Sequence, residues 1–229
     1  MMYAAAICGR FTQHYTWREI HDLYDLMGAA RNLQARCNIA PTTTIDVVMS
    51  TAEGSTLVPM RWGLIPPWWK KPMKEVPPTF NARAETVAEK PMFRSAFRRN
   101  RCIVPASGYY EWKAAAGRKQ PYFISAADGG VLSVAGLWDR WNNPETGEPV
   151  TSCTIIVTNA NALTRVIHNR MPVLLDRSDF EPWLSSGAAG TELLKPAGED
   201  RLRMWPVSKR VNKIGSGDDD PTLIDEVAV

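Results

Sequence analysis

Residues 101–126, "RCIVPASGYYEWKAAAGRKQPYFISA", hold two runs rich in β-branched and aromatic side chains, 101–112 and 120–126, separated by a small, polar turn. Runs of this composition between turn signals read as strands. The same pattern predicts strands over 44–50, 55–65, 131–141, 152–159, 170–175 and 202–208. Helical signals are fewer. Thr16 and Glu19 form a capping box ahead of Ile20, Leu23, Tyr24 and Met27, spaced i, i+3, i+4 and i+7, and Gly28 follows as a stop. Short helices are expected over 91–99, 161–167 and 179–186, the last opened by a Ser178 to Glu181 box. Strands outnumber helices without regular βαβ alternation. The fold class is therefore α+β, with a mainly antiparallel, curved or barrel-like sheet and several short helices.

At 229 residues and 45% hydrophobic content the chain can bury a substantial core, and one domain is expected. No apolar run approaches the ~20 residues needed to cross a bilayer. Met1 to Ile7 is apolar but lacks the basic leading region of a secretory signal. A cytoplasmic, monomeric protein is expected. Cys8, Cys37, Cys102 and Cys153 lie far apart without a Cys-x-x-Cys pair, so reduced thiols are the default. With only His14, His21 and His168 available, neither a metal site nor any other cofactor is expected. Five of the 24 acids fall in residues 218–229, which contain no Lys or Arg. Residues 1–217 carry 27 basic against 19 acidic side chains, a surplus of +8 that suits a polyanionic partner or an ordinary solvated surface. The chain divides into an extension over 1–7, a domain over 8–217 and an acidic tail over 218–229.

"PPWWKKPMKEVPP", residues 66–78, has five prolines, yet its adjacent tryptophans argue against a plain linker. Trp68 and Trp69 beside Lys70, Lys71 and Lys74 combine stacking surface with phosphate-seeking charge, as single-strand nucleic-acid sites do. Rings that cap the core are the equal alternative. A second basic cluster, Arg94, Arg98, Arg99 and Arg101, reads by itself as a solvated face.

The candidate chemical residues are scattered: Cys8, Asn81 and Arg83 in "FNARAET", Glu111 in "GYYEWK" and His168 in "VIHNRMP". Each has a plain structural explanation: a small buried hydrophobe, a turn residue, a surface acid, a cation at a helix C-terminus. Glu111 stands out because it lies between Tyr110 and Trp112, where a part-buried carboxylate gains a raised pKa and can serve as acid or base.

In order along the chain, "CGRF", "CNIAPT" at 37–42, "RWGLIPPWW" at 61–69, "NARAET" at 81–86, "GYYEWK" at 108–113, "IHNRMPVLL" at 167–175 and "WPVSKRVN" at 205–212 resemble the SOS-response-associated peptidase family, also called abasic-site processing proteins. The resemblance implies a single α+β domain that binds single-stranded DNA and joins itself covalently to abasic sites. It also implies Cys8 as nucleophile, Asn81, Glu111 and His168 as catalytic neighbours, and Arg10 and Arg83 as ligands of DNA phosphates.

The chemistry of the lesion points the same way, independently of the family. An open abasic deoxyribose presents an aldehyde, with which an amine condenses to an imine; a thiol on the neighbouring carbon then closes a five-membered thiazolidine. Only an N-terminal cysteine offers both groups, and its α-amine, with a pKa of ~7.7 to 8, is far more often neutral than a lysine at ~10.4. Glu111 would take the amine proton, His168 would move a proton on the sugar oxygen, and Asn81 would orient amine or sugar. Two other readings stand beside this one: a thiol peptidase using Cys8, His168 and Asn81 or Asn159, and a single-strand-binding module without catalysis. One departure from the family pattern matters. In the family the cysteine directly follows the initiator methionine, whereas here "MMYAAAI" precedes Cys8. Either translation starts nearer Cys8 or the chain removes these residues itself.

Overall fold

The computed structural model describes residues 8–115, 118–185, 190–215 and 217–228. The expected extension over 1–7 lies outside the described residues. Among the described residues, twelve strands occur in two sheets: β1 Phe11–Gln13, β2 Arg36–Ile39, β3 Thr44–Thr51, β4 Gly54–Trp62, β5 Asn81–Arg83, β6 Arg101–Ala106, β7 Gly108–Ala115, β8 Arg118–Ala126, β9 Leu132–Asn142, β10 Pro149–Asn159, β11 Arg170–Pro172 and β12 Leu202–Pro206. Four short α-helices accompany them: α1 Trp17–Tyr24, α2 Arg94–Arg99, α3 Ala162–Arg165 and α4 Phe180–Leu184.

One sheet runs β12-β8-β7-β1-β2 and is antiparallel throughout. The other runs β10-β4-β3-β6-β9, and β9 pairs again with β10, which closes a five-stranded barrel. The barrel is mixed because β4 lies parallel to β10. β5 and β11 add to β10 outside this ring, one parallel and one antiparallel. The α+β class with a barrel-like sheet is thus the observed one.

Period-two alternation sorts the barrel side chains. Val47, Val104, Val134 and Ile155 join the cluster that holds Cys8, Phe11 and Tyr109, while Val48, Ile103, Ala135 and Ile156 pack with the helix residues Ile20, Tyr24, Phe97 and Trp183. Burial of both faces explains why these strands read as nearly continuous apolar runs.

The structure corrects several expectations. The single strand over 101–112 is two strands in different sheets, broken at Ser107. Gly108 lets the chain cross: a Cβ there would stand 2.3 Å from the Phe123 ring and 2.7 Å from the Ile124 carbonyl oxygen. The strand over 55–65 ends at Trp62, because Gly63 adopts a φ of +132°. The Thr16 and Glu19 box forms as read, but α1 stops at Tyr24, capped by Asp25 in the left-handed region at φ 50°. Leu26, not Met27, therefore turns inward, and Met27 stays 53% exposed. The box before α4 is Asp176 with Asp179, two residues ahead of the Ser178 and Glu181 pair. Arg101 is not part of a solvated face. It is buried, stacks on Phe97 and Trp183 at 4.8 and 5.0 Å, and donates from Nε to the Phe97 carbonyl.

The acidic C-terminal segment packs against the domain. Cys37 N–H donates to the Asp218 carbonyl at 2.6 Å, Asp220 pairs with Arg210 at 2.7 Å, and Leu223 is buried. Among the described residues no helix is long and apolar enough to cross a membrane.

Candidate active site

Cys8 reaches its position through a strand register. β1 lies between β2 and β7, with Phe11 opposite Tyr109 and Thr12 opposite Gly108. Continued past the strand end, this antiparallel pairing sets Gly9 against Glu111, and the Tyr110 N–H bonds the Arg10 carbonyl at 2.9 Å. The Cys8 N–H then donates to Glu111 Oε1 at 2.7 Å. Cys8 itself holds a φ of 44°, a conformation uncommon for any residue but glycine. Its side chain is 2% exposed, in the cluster with Phe11 and Tyr109.

Glu111 is no surface acid; only 3% of it is exposed. Burial pushes its carboxyl up from the ordinary carboxylate value, against the opposing pull of His168 and of the Cys8 N–H. The Cys8 thiol is pushed well up as well, first by burial and then by the Glu111 carboxylate, to which it also hydrogen-bonds. One carboxylate thus meets both the nitrogen and the sulfur of the same cysteine. The protonated thiol is the favoured resting form, the opposite of the exposed, electropositive setting of a ready thiolate.

His168 follows α3, its N–H bonded to the Thr164 carbonyl at 3.1 Å. Its Nδ1 accepts the Arg170 N–H at 3.1 Å, so the neutral ring carries its proton on Nε2, which is left to donate elsewhere. β10 organises this side of the site. Its Ile155 and Val157 pair with Asn81 and Arg83 of β5, and its Asn159 pairs with Arg170 of β11. Phe80, next to Asn81, packs edge-on against Trp62 and accepts that indole's N–H at 2.9 Å; Phe11 packs edge-on against the same ring.

The phosphate candidates differ in setting. Arg83 is exposed. Arg10 is buried, with Nη1 donating to Asn38 Oδ1 and to the Val211 carbonyl, both at 2.6 Å, while Trp112 lies 5.8 Å from its guanidinium. The tryptophans diverge too. Trp68 is 47% exposed and borders a cleft with α2, whereas the half-buried Trp69 is anchored through its carbonyl, which accepts the Trp141 indole N–H at 2.6 Å.

Arg170 was not singled out in the sequence. Besides orienting His168, it forms an ion pair with Glu85 of the "NARAET" segment, linking the two motifs. No local pattern signals this long-range pair. All four cysteines are free, and among the described residues no group of three or more His, Cys, Asp or Glu side chains is placed to hold a metal ion.

A closed mixed barrel flanked by an antiparallel sheet, with a cysteine bonded through its own nitrogen to a buried glutamate, defines an α+β protein with a cysteine–carboxylate centre. The family model described as SOS response associated peptidase matches residues 7–214, and the chain belongs to that family. It is 37% identical over 213 residues to the abasic site processing protein YoqW of Bacillus subtilis, covering 90% of this chain and 94% of the relative. It is 30% identical to the abasic site processing protein YedK of Escherichia coli, covering 91% and 95%. The abasic site processing protein HMCES of Gallus gallus is 34% identical over 195 residues, but the match spans 57% of that longer protein. A solved structure from Bacteroides thetaiotaomicron superposes with a TM-score of 0.85 at 26% identity, covering 96% of this chain and all of the other.

Proposed function

We propose that this chain processes abasic sites in single-stranded DNA by joining Cys8 to the lesion as a thiazolidine. The observation that carries the reading is the 2.7 Å contact between the Cys8 nitrogen and Glu111 Oε1. The nitrogen that must attack the aldehyde already rests on the carboxylate that would receive its proton. Once Cys8 is N-terminal, its neutral amine adds to the sugar aldehyde, and loss of water gives the imine. The sulfur then adds to the imine carbon, and the thiol proton passes to nitrogen. Glu111, shifted upward by burial, accepts and returns protons near neutrality more readily than an ordinary carboxylate. His168, with Nε2–H available, serves the sugar oxygen and favours ring opening. Asn81 orients the amine or the sugar. Arg83 and the free edge of Arg10 position the flanking phosphates, and Trp68 and Trp69 supply stacking.

While residues 1–7 are attached, the Cys8 nitrogen is an amide and cannot condense with an aldehyde. The same carboxylate offers a route to its release. Glu111 takes the thiol proton, the sulfur attacks the Ile7 carbonyl, and the acyl group moves from nitrogen to sulfur, freeing the amine. Water then hydrolyses the thioester and releases the peptide of residues 1–7. The deep burial of the thiol speaks against turnover of other polypeptides.

Intact-mass measurement after incubation with an abasic oligonucleotide tests the reading. The expected product is protein lacking residues 1–7 plus oligonucleotide minus one water. Unchanged protein mass, or peptide turnover without an adduct, refutes it.

A further inference from the structure

The two basic, aromatic stretches that appear separate in the sequence meet in space. Trp68 and the α2 residues Arg94, Ser95, Arg98 and Arg99, together with Pro91, line one open cleft of about 780 Å³. None of these six is among the residues gathered around Cys8. We propose that this cleft seats the stretch of DNA strand flanking the lesion, with Trp68 stacking on a base and Arg94 and Arg98 holding consecutive phosphates.

Three features favour such a ligand. Arg94 and Arg98 are both exposed and stand at i, i+4 on α2, where like charges repel. Among the described residues neither forms an ion pair, so this repulsion has no carboxylate to relieve it. Arg99, by contrast, is held by the Ser95 hydroxyl at 2.7 Å and serves as a wall. Second, the Trp68 ring is 47% exposed, tilted 55° to Trp69, and has its free face on the same cleft. An aromatic face beside unpaired guanidinium groups is the combination that holds single strands, by stacking and by phosphate neutralisation. Third, the cleft is continuous in chain with the site: from Arg83 on β5 the backbone runs through residues 84–93 directly into α2.

The inference rests on the proposed DNA reading, and the test separates the two. Binding of intact single strands of ~20 and ~5 nucleotides, spanning the usual site sizes, is measured against salt for the wild type, Arg94→Glu/Arg98→Glu and Arg94→Gln/Arg98→Gln. Adduct formation is followed on a ~5-nucleotide abasic strand. On the long strand the charge-reversed variant is expected to bind at least roughly tenfold more weakly, and the neutral variant to lose about 1.4 from the salt slope, ~0.7 for each phosphate contact. Short-strand binding and the adduct are expected to stay at wild-type levels. Wild-type affinity and slope on the long strand overturn the proposal, as does an equal loss on the short strand. Absence of any wild-type adduct, with long-strand binding still dependent on the two arginines, refutes the thiazolidine chemistry and upholds the cleft.

Discussion

The cysteine centre and the Trp68 cleft are built on opposite principles. At the cysteine centre the two central groups, Cys8 and Glu111, are buried: the thiol and the carboxyl are both displaced upward, and one carboxylate serves two atoms of one residue. Along α2, Arg94 and Arg98 are exposed, mutually repelling and, among the described residues, without an ion pair. Buried groups respond to pH and to the loss of a single atom, because a low-dielectric setting magnifies each proton. Exposed arginines respond to salt and lose affinity in small steps. Chemistry and attachment should therefore fail separately.

The sharpest break is expected from Cys8→Ser. The amine survives and the ring-closing sulfur does not, so the stable adduct should vanish while a borohydride-trappable imine remains. An equally durable adduct from this variant contradicts the thiazolidine. Glu111→Gln removes the proton acceptor and keeps the shape. Adduct formation should slow roughly 10²–10⁴-fold, with binding to intact strands unchanged; equal losses in both assays make Glu111 structural. The wild-type rate should also fall on the acid side above the ordinary carboxylate range, a limb that Glu111→Gln lacks. Folding favours the neutral Glu111 carboxyl, so its contribution is full below the unfolded pKa and is lost as pH rises through the raised folded value. Above that window, denaturant titration should find Glu111→Gln at least as stable as the wild type.

Trp68→Ala probes the other region and should cost ~1 to 3 kcal/mol of binding on strands long enough to reach the cleft, whatever their sequence, leaving the rate of the bound adduct step intact. Thr16→Ala touches neither region. It removes the α1 cap, whose hydroxyl accepts the Glu19 N–H at 3.3 Å, and should cost about 1 kcal/mol of folding stability with no change in either assay.

What the sequence made legible follows the range of each interaction. The Thr16 and Glu19 box is local and formed as read, and the long apolar strands were visible by composition. β1, β2 and β5 are too short to carry a period, and they exist because of long-range pairing. The break at Ser107 depends on Phe123 standing over Gly108, a contact no local window contains. Glu111 could be suspected from its aromatic neighbours, whereas its bond to the Cys8 nitrogen requires the register of β1 on β7. Trp68 and the α2 arginines were visible as two clusters and not as one cleft. Arg101 shares their composition but lies buried on Trp183, a distinction only packing makes.

The central claim is that the Cys8 nitrogen, once freed, is the nucleophile that Glu111 serves. Intact-mass analysis of two chains with an abasic oligonucleotide tests it most directly: one that begins at Cys8 after methionine removal, and one in which Glu111→Gln blocks release of residues 1–7. The account predicts a heat-stable adduct, one water lighter than the sum of its parts, from the first, and from the second no adduct on any molecule that retains residues 1–7. An adduct on protein whose mass still includes residues 1–7 would contradict it, because an amide nitrogen cannot close the ring.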